Sequence, residues 1–187
     1  NNILERTVQL VDNERTYGLE KKPTKNSFLH NGLTDTSDGD FVELNMTAAQ
    51  LSRSIGTHIN KFGGLAIVID YGDWHSLGDT LQAVKSHKYC DIFISPGKVD
   101  ITAHVDFEIL ATSSGCAFSK LTTQGVLLDR LGITHRAKKL AKNLSGKDLE
   151  NHIAAHRRLT HPEEMGSLFK ALSLFPKHAP CPPGFEQ

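Results

Sequence analysis

Two short stretches of this chain gather side chains that could do chemistry. In Asp100-Ile-Thr-Ala-His104-Val-Asp106-Phe107 a histidine lies between carboxylates. Imidazole changes charge near neutral pH, so nearby acids could tune His104 as an acid–base group, or merely satisfy a structural histidine. In the second stretch Asp70, Tyr71 and Gly72 follow the apolar run Leu65-Ala-Ile-Val-Ile69. Ligands of open α/β sheets collect beyond the carboxyl ends of strands, so an acid, a phenol and a permissive glycine there could line a site. Asp70 capping the next turn is the plainer alternative. Thr80, Gln82, Asp100, Thr102 and Gln124 add hydrogen-bonding groups at the expected ends of helices and strands, where capping would account for several of them.

Other chemistries find less support. His152 and His156 stand four apart on an expected helix, with His161 beyond, a spacing that could clamp a metal. No Glu follows the first histidine in the zinc-protease manner, and Arg157 and Arg158 adjoin the pair, which favours a solvated face. Cys90, Cys116 and Cys181 have neither metal spacing nor neighbouring triad partners. There is no Gly-x-Ser-x-Gly elbow, no Walker loop and no Gly-x-Gly-x-x-Gly. Gly63-Gly64 precedes a strand, whereas a phosphate loop follows one and opens a helix.

The elements that must position these groups fit within 187 residues, enough for one domain with a core. Twenty-one bases balance 21 acids, so no net basic charge announces nucleic acid and no polybasic run announces a membrane. The central apolar run is far shorter than the roughly 20 residues of a membrane span. Three scattered cysteines suit a reducing compartment. The sequence starts at Asn1 without a leader pattern, so a processed targeting segment or a start partway through a longer protein is expected, the second being favoured.

Residues 3–20 alternate weakly and predict two strands about Asp12-Asn13. Lys21 to Asp40, broken by Pro23, reads as an exposed excursion, and Phe41 to Leu44 as a short extended piece. Thr47-Ala-Ala-Gln50 has the form of a capping box, opening a helix whose stripe is Leu51, Ile55, Ile59 and Phe62 and which Gly63-Gly64 ends. The unbroken run Leu65 to Ile69 predicts a strand covered on both faces. Residues 73–84 read as loop and Ile92 to Ile94 as a short strand. A helix with Val105, Ile109 and Leu110 inward is capped by Asp100 or Thr102. Thr122 to Gln124 opens another, carrying Val126, Leu127, Leu128 and Leu131 to Gly132. His135 to Asn143 is basic on one side and apolar on the other, Ser145 starts a further helix, and Pro162 begins a short one ending at Gly166. Leu168 to Phe175 predicts a last strand, ended by the proline-rich tail.

Several of these motifs, in one order, resemble a known family. They are Glu5-Arg6, the run 63–72, Asp79-Thr-Leu-Gln-Ala-Val84, Asp100 to Phe107, Thr123-Gln124-Gly125 leading to Leu131-Gly132-Ile133, Leu159-Thr160, Met165-Gly166 and Phe169-Lys170. The set is similar to the MidA-type S-adenosylmethionine-dependent methyltransferases, whose mitochondrial relatives assist assembly of respiratory complex I. The resemblance covers nearly the whole chain but only the carboxyl-terminal half of the family. The upstream glycine-rich cofactor loop, and an Asn-Glu motif followed by Asp-Ala-Leu-Pro, have no counterpart here.

The resemblance implies an α/β fold: the carboxyl-terminal half of a Rossmann-like seven-stranded methyltransferase sheet, with extra helices and a small hairpin excursion, forming part of a single methyltransferase domain over residues 1–187. Residues 47–72 would be its fourth helix and fifth strand, with Leu168 to Phe175 in the closing hairpin. It further implies S-adenosylmethionine as cofactor, a protein arginine as acceptor, and a protein partner such as a respiratory complex I subunit, with no nucleic acid and no membrane span. The expected location is the cytoplasm of a bacterium or the mitochondrial matrix of a eukaryote. Asp70, His104 and Asp106 become candidate catalytic groups, with Tyr71, Gly72, Thr80, Gln82, Asp100 and Gln124 as candidate substrate-binding residues. A non-catalytic half-Rossmann interaction module is the alternative. Both readings predict an exposed apolar sheet edge.

Overall fold

The computed structural model describes residues 4–20, 36–75 and 77–186. In chain order its elements are β1 (Glu5–Val11), β2 (Glu14–Glu20), α1 (Met46–Phe62), β3 (Ala66–Asp73), β4 (Gln82–Lys85), β5 (Lys88–Cys90), β6 (Asp100–Thr102), β7 (Val105–Asp106), α2 (Phe107–Ser113), β8 (Ala117–Phe118), β9 (Thr122–Thr123), α3 (Gln124–Arg130), α4 (Ile133–Ala141), α5 (Gly146–Thr160) and β10 (Phe169–Phe175). A wide helical turn at Pro162–Gly166 precedes β10. The chain divides into a smaller unit, residues 1–43 and 77–103, and a larger one, residues 44–76 and 104–187. Most of the excursion expected at 21–40 lies outside the described residues.

In the smaller unit β1 and β2 form the expected hairpin, and Asp12 and Asn13 both take positive φ, as a tight two-residue turn demands. A second sheet runs β5-β4-β6. Its hairpin turns on Ser86-His87, both also at positive φ, a pair without the usual Asn-Gly signature. The expected loop through 84 is therefore strand from Gln82, and Ile92 to Ile94, expected as a strand, is a turn instead. Arg6 organises this unit. Its guanidinium donates two hydrogen bonds to Asp79, at 2.6 and 2.7 Å, and lies 4.3 Å from the Tyr17 ring centre and 4.9 Å from that of Phe41. The hydrogen bonds hold the Asp79 carboxyl below its ordinary range and raise the guanidinium above its own.

The larger unit is built on a mixed sheet in the order β7-β3-β10-β8, with β9 also paired to β10. Only β3 and β7 run parallel; β10 is antiparallel to β3, β8 and β9. Leu172 and Leu174 of β10 join Ile59 of α1 and Phe107, Leu110 and Ala111 of α2 in the core. Ala171, Ser173 and Phe175 on the other row of β10 are buried as well, and α3 is the remaining helix that packs on this strand.

Helix α1 starts and packs differently from the sequence expectation. Asn45, not a Thr47 box, caps it, accepting a hydrogen bond from the Ala48 amide at 3.0 Å. Of the expected stripe only Ile59 is fully buried, while Leu51 and Phe62 are 59% and 67% exposed. The buried row is Ala49, Ser52, Gly56 and Ile59. Small residues let α1 approach α2 closely: Ser52 Oγ donates to the Leu110 carbonyl at 2.5 Å, and a Cβ on Gly56 would stand 1.8 Å from the Ser114 oxygen. Backbone proximity, rather than apolar volume, selects this face.

Strand β3 is not covered on both faces. Ala66 and Val68 pack against the core, but Leu65, Ile67 and Ile69 are 48%, 47% and 43% exposed. Along the edge away from β10, β7 pairs only with Gly72 and Asp73, so Ala66 to Tyr71 has no partner strand there among the described residues. An unbroken apolar run cannot by itself reveal which row is covered, because both rows carry the same residue types.

Candidate active site

The carboxyl end of β3 brings five of the candidate residues into the larger unit. Asp70 is half-buried, and one carboxylate oxygen accepts a hydrogen bond from the Tyr71 amide at 2.8 Å. Tyr71 stands edge-on to two rings: His104 at 5.8 Å and Phe169 at 5.6 Å between ring centres. Phe169 faces Tyr71 directly across the β3–β10 ladder, which is why the two rings meet. Gly72 permits the parallel pairing with Val105. A Cβ there would lie 2.1 Å from the Val105 carbonyl oxygen and 2.7 Å from its nitrogen. That close approach sets the segment from His104 to Asp106 beside the end of β3.

Asp106 caps α2, accepting a hydrogen bond from the Ile109 amide at 2.9 Å. The cap expected at Asp100 or Thr102 is thus displaced, because those residues form β6 instead.

The remaining candidates lie elsewhere. Thr80 belongs to the smaller unit, where its amide donates to the Glu43 carboxylate at 3.0 Å and its hydroxyl donates to the same group. Gln82 opens β4 opposite Thr102, and Asp100 stands exposed in β6 opposite Val84. Gln124 is buried at the start of α3, its amide donating to the Leu159 carbonyl at 2.8 Å. His152 and His156 each contact α4: His152 Nε2 lies 3.0 Å from the Ala137 carbonyl and His156 Nε2 lies 3.2 Å from Thr134 Oγ1. No group of three potential metal ligands forms among the described residues.

Sequence reasoning missed neighbours of the β3 end. His75 Nδ1 lies 3.0 Å from a Glu108 carboxylate oxygen, and the Glu108 amide donates to the Trp74 carbonyl at 2.9 Å. Trp74 also lines an apolar cavity of about 360 Å³ with Phe118, Ser119, Lys120 and Leu121. Both features depend on residues 33 or more positions apart, and nothing in local patterning links them. Cys116 sits in the core beside Asn60 and the Gly56 carbonyl, and burial pushes its thiol up, as suits an inert structural cysteine. Phe169 was legible as part of the last strand, but its place against Tyr71 followed only from the register.

An α/β unit with a mixed sheet and polar groups at a strand's carboxyl end suits a small-molecule- or group-transfer enzyme. Comparison with known proteins narrows this. Residues 1–127 match the family described as "Putative S-adenosyl-L-methionine-dependent methyltransferase". The chain belongs to this methyltransferase family, whose cofactor is S-adenosyl-L-methionine. It is 33% identical over 145 residues to the Xenopus laevis mitochondrial protein arginine methyltransferase NDUFAF7, covering 76% of this chain and 33% of that protein. The Drosophila melanogaster homolog is 32% identical over 126 residues, covering 65% and 29%, and the Homo sapiens protein is 30% identical over 140 residues, covering 73% and 32%. The chain thus spans about a third of the length of the curated relatives it matches.

Two crystal structures of superfamily proteins from Burkholderia thailandensis share the fold, each over 95% of this chain. One has a TM-score of 0.79 at 23% identity and is covered over 50% of its length. The other, solved with S-adenosyl-homocysteine bound, has a TM-score of 0.75 at 24% identity and is covered over 48%. Among the described residues no glycine-rich turn leads from a strand into a helix, the arrangement that would cradle the adenosyl donor. Gly63 and Gly64 lie between a helix and a strand, in the opposite order. The described residues do not make a cofactor cradle.

Proposed function

We propose that this chain supplies the acceptor-side, carboxyl-terminal part of a seven-stranded methyltransferase domain acting on protein arginine, with the donor held by family elements upstream of those present here. The observation that carries the reading is the corner at the β3 end, where Tyr71 meets His104 and Phe169 beside Asp70 and the capping Asp106. Aromatic faces and carboxylates together suit a guanidinium, which stacks on rings and pairs with planar acids. The acceptor nitrogen must shed a proton as it gains the methyl group, and Asp70 or Asp106 would take it, with His104 relaying it outward. Gly72 sets their spacing. Thr80, Gln82, Asp100 and Gln124 are proposed to touch the protein substrate rather than the reacting atoms. Kinship with mitochondrial protein arginine methyltransferases supports a mitochondrial location in a eukaryote and a protein arginine as acceptor; the matrix, and a respiratory complex I subunit as the protein methylated, are proposed with it. No helix among the described residues is long and apolar enough to cross a membrane.

The exposed row Leu65, Ile67 and Ile69, beside an edge of β3 that no strand among the described residues covers, favours a second reading in which the chain is a non-catalytic half that docks on a separate strand-bearing partner. Calorimetric titration of S-adenosylmethionine separates the two. We expect no binding to this chain alone and binding once the amino-terminal half of a relative is added, followed by methylation of an arginine peptide that Asp70→Asn reduces at least about tenfold. Binding to the chain alone would overturn the assignment of the donor site to another segment. Binding by neither preparation would leave the docking module.

A further inference from the structure

Helices α4 and α5 form a hairpin in which neither helix has a fully buried residue. Its seam is polar and directional. The Ala137 carbonyl can only accept, so His152 donates to it through Nε2–H at 3.0 Å. Thr134 spends its hydroxyl hydrogen on Asp129 at 2.9 Å, so His156 must likewise donate through Nε2–H. These contacts fix which side of α4 faces α5: Ile133, Thr134, Ala137 and Ala141 are half-buried there.

The opposite side carries His135, Lys138, Lys139 and Lys142, spaced i, i+3, i+4 and i+7 on one helical stripe and all exposed. Arg136 flanks it, and Lys147 follows on the first turn of α5. Residues 133–147 hold five Lys or Arg and no acid, within a chain whose charges balance. Among the described residues none of these cations makes an ion pair. Helix stability does not account for the pattern. Lysines in the last turn suit the helix dipole, but His135 and Arg136 stand in the first turn, where cations oppose it.

We propose that this stripe is a docking surface for an acidic segment of a protein partner. It spans about 10 Å along the helix, at 1.5 Å per residue. An extended peptide presents same-side carboxylates about 7 Å apart, so two or three would fall within reach. Residues 133–147 contain no Phe, Tyr or Trp on which a nucleic-acid base could stack. Of the apolar residues on α4 only Leu140 is exposed, so the helix has no apolar face to insert into a lipid surface. The inference stands on the charge and exposure of this helix and does not rest on the methyl-transfer reading.

The test is fluorescence anisotropy of fluorescein-labelled octaglutamate with the full chain at low salt. Lys138→Gln/Lys139→Gln/Lys142→Gln, which preserves helix propensity, should weaken binding about tenfold or more. The charge-matched Lys61→Gln/Lys88→Gln/Lys98→Gln, at exposed sites elsewhere, should weaken it less than about twofold. Circular dichroism checks that both variants keep the parent fold. Equal weakening by the two triples, absence of octaglutamate binding, or tighter capture of phosphatidylglycerol vesicles or a single-stranded oligonucleotide than of octaglutamate would each overturn the proposal.

Discussion

At Gly72 one added carbon decides whether the candidate site assembles. A Cβ would meet backbone atoms of Val105 at 2.1 Å, and backbone cannot swing aside as a side chain can. Gly72→Ala is therefore expected to cost about 3 kcal/mol and to separate β7 from β3, read as a lower melting temperature and faster amide exchange at Val105. Asp106 allows its two roles to be parted. Asp106→Asn keeps an oxygen that can cap α2, so stability should change by less than about 0.5 kcal/mol, whereas Asp106→Ala should cost about 1 kcal/mol. If Asp106 also takes a proton from the acceptor, both variants lose methylation in the completed enzyme; if it only caps, Asp106→Asn stays active. The motif containing Asp106 was legible in the sequence. Its cap was not, because Asp100, Thr102 and Asp106 are all competent capping residues and only the backbone path selects one.

Among the elements, α1 holds the plainest lesson about what patterning can tell. Its apolar residues are spaced for a helix, and a helix forms, but the buried face is the row of Ala49, Ser52, Gly56 and Ile59. Close approach to α2 makes Gly56 the sensitive position. Gly56→Ala should destabilise the larger unit by about 3 kcal/mol despite the gain in helix propensity, as a thermal melt followed through Trp74 fluorescence would register. Strand β3 differs in the reverse sense: its apolar row of Leu65, Ile67 and Ile69 is exposed although its composition is that of a buried strand. Ile67→Ser/Ile69→Ser should lower self-association of this chain, measured by light scattering, while shifting stability by less than about 1 kcal/mol.

For the molecule as a whole, the smaller unit carries the pH dependence that the structure makes explicit. Asp79 has its carboxyl lowered by Arg6, so the pair adds stability that is fully present above the ordinary aspartate value near about pH 4 and is lost as pH falls through the lowered one. Asp79 is half-exposed, which limits the contribution to about 1 kcal/mol. Asp79→Asn should accordingly melt below the parent at pH 7 and together with it near pH 2, by circular dichroism. The larger unit carries the sheet, the core and the proposed acceptor corner, so loss of the Arg6–Asp79 pair should leave Trp74 fluorescence unchanged.

The sequence by itself determined the family, the α/β class, the hairpin about Asp12-Asn13, the helices beyond Gln124 and the final strand. Each of these rests on local signals: turn residues with positive φ, periodic apolar spacing, and motifs in a fixed order. Only the tertiary structure decided that β3 bares one face, that Ser86-His87 turns a hairpin, and that Phe169 and His104 flank Tyr71. Those outcomes depend on strand register and on which backbones approach within contact. Partners distant in sequence fix both, and no residue advertises them alone.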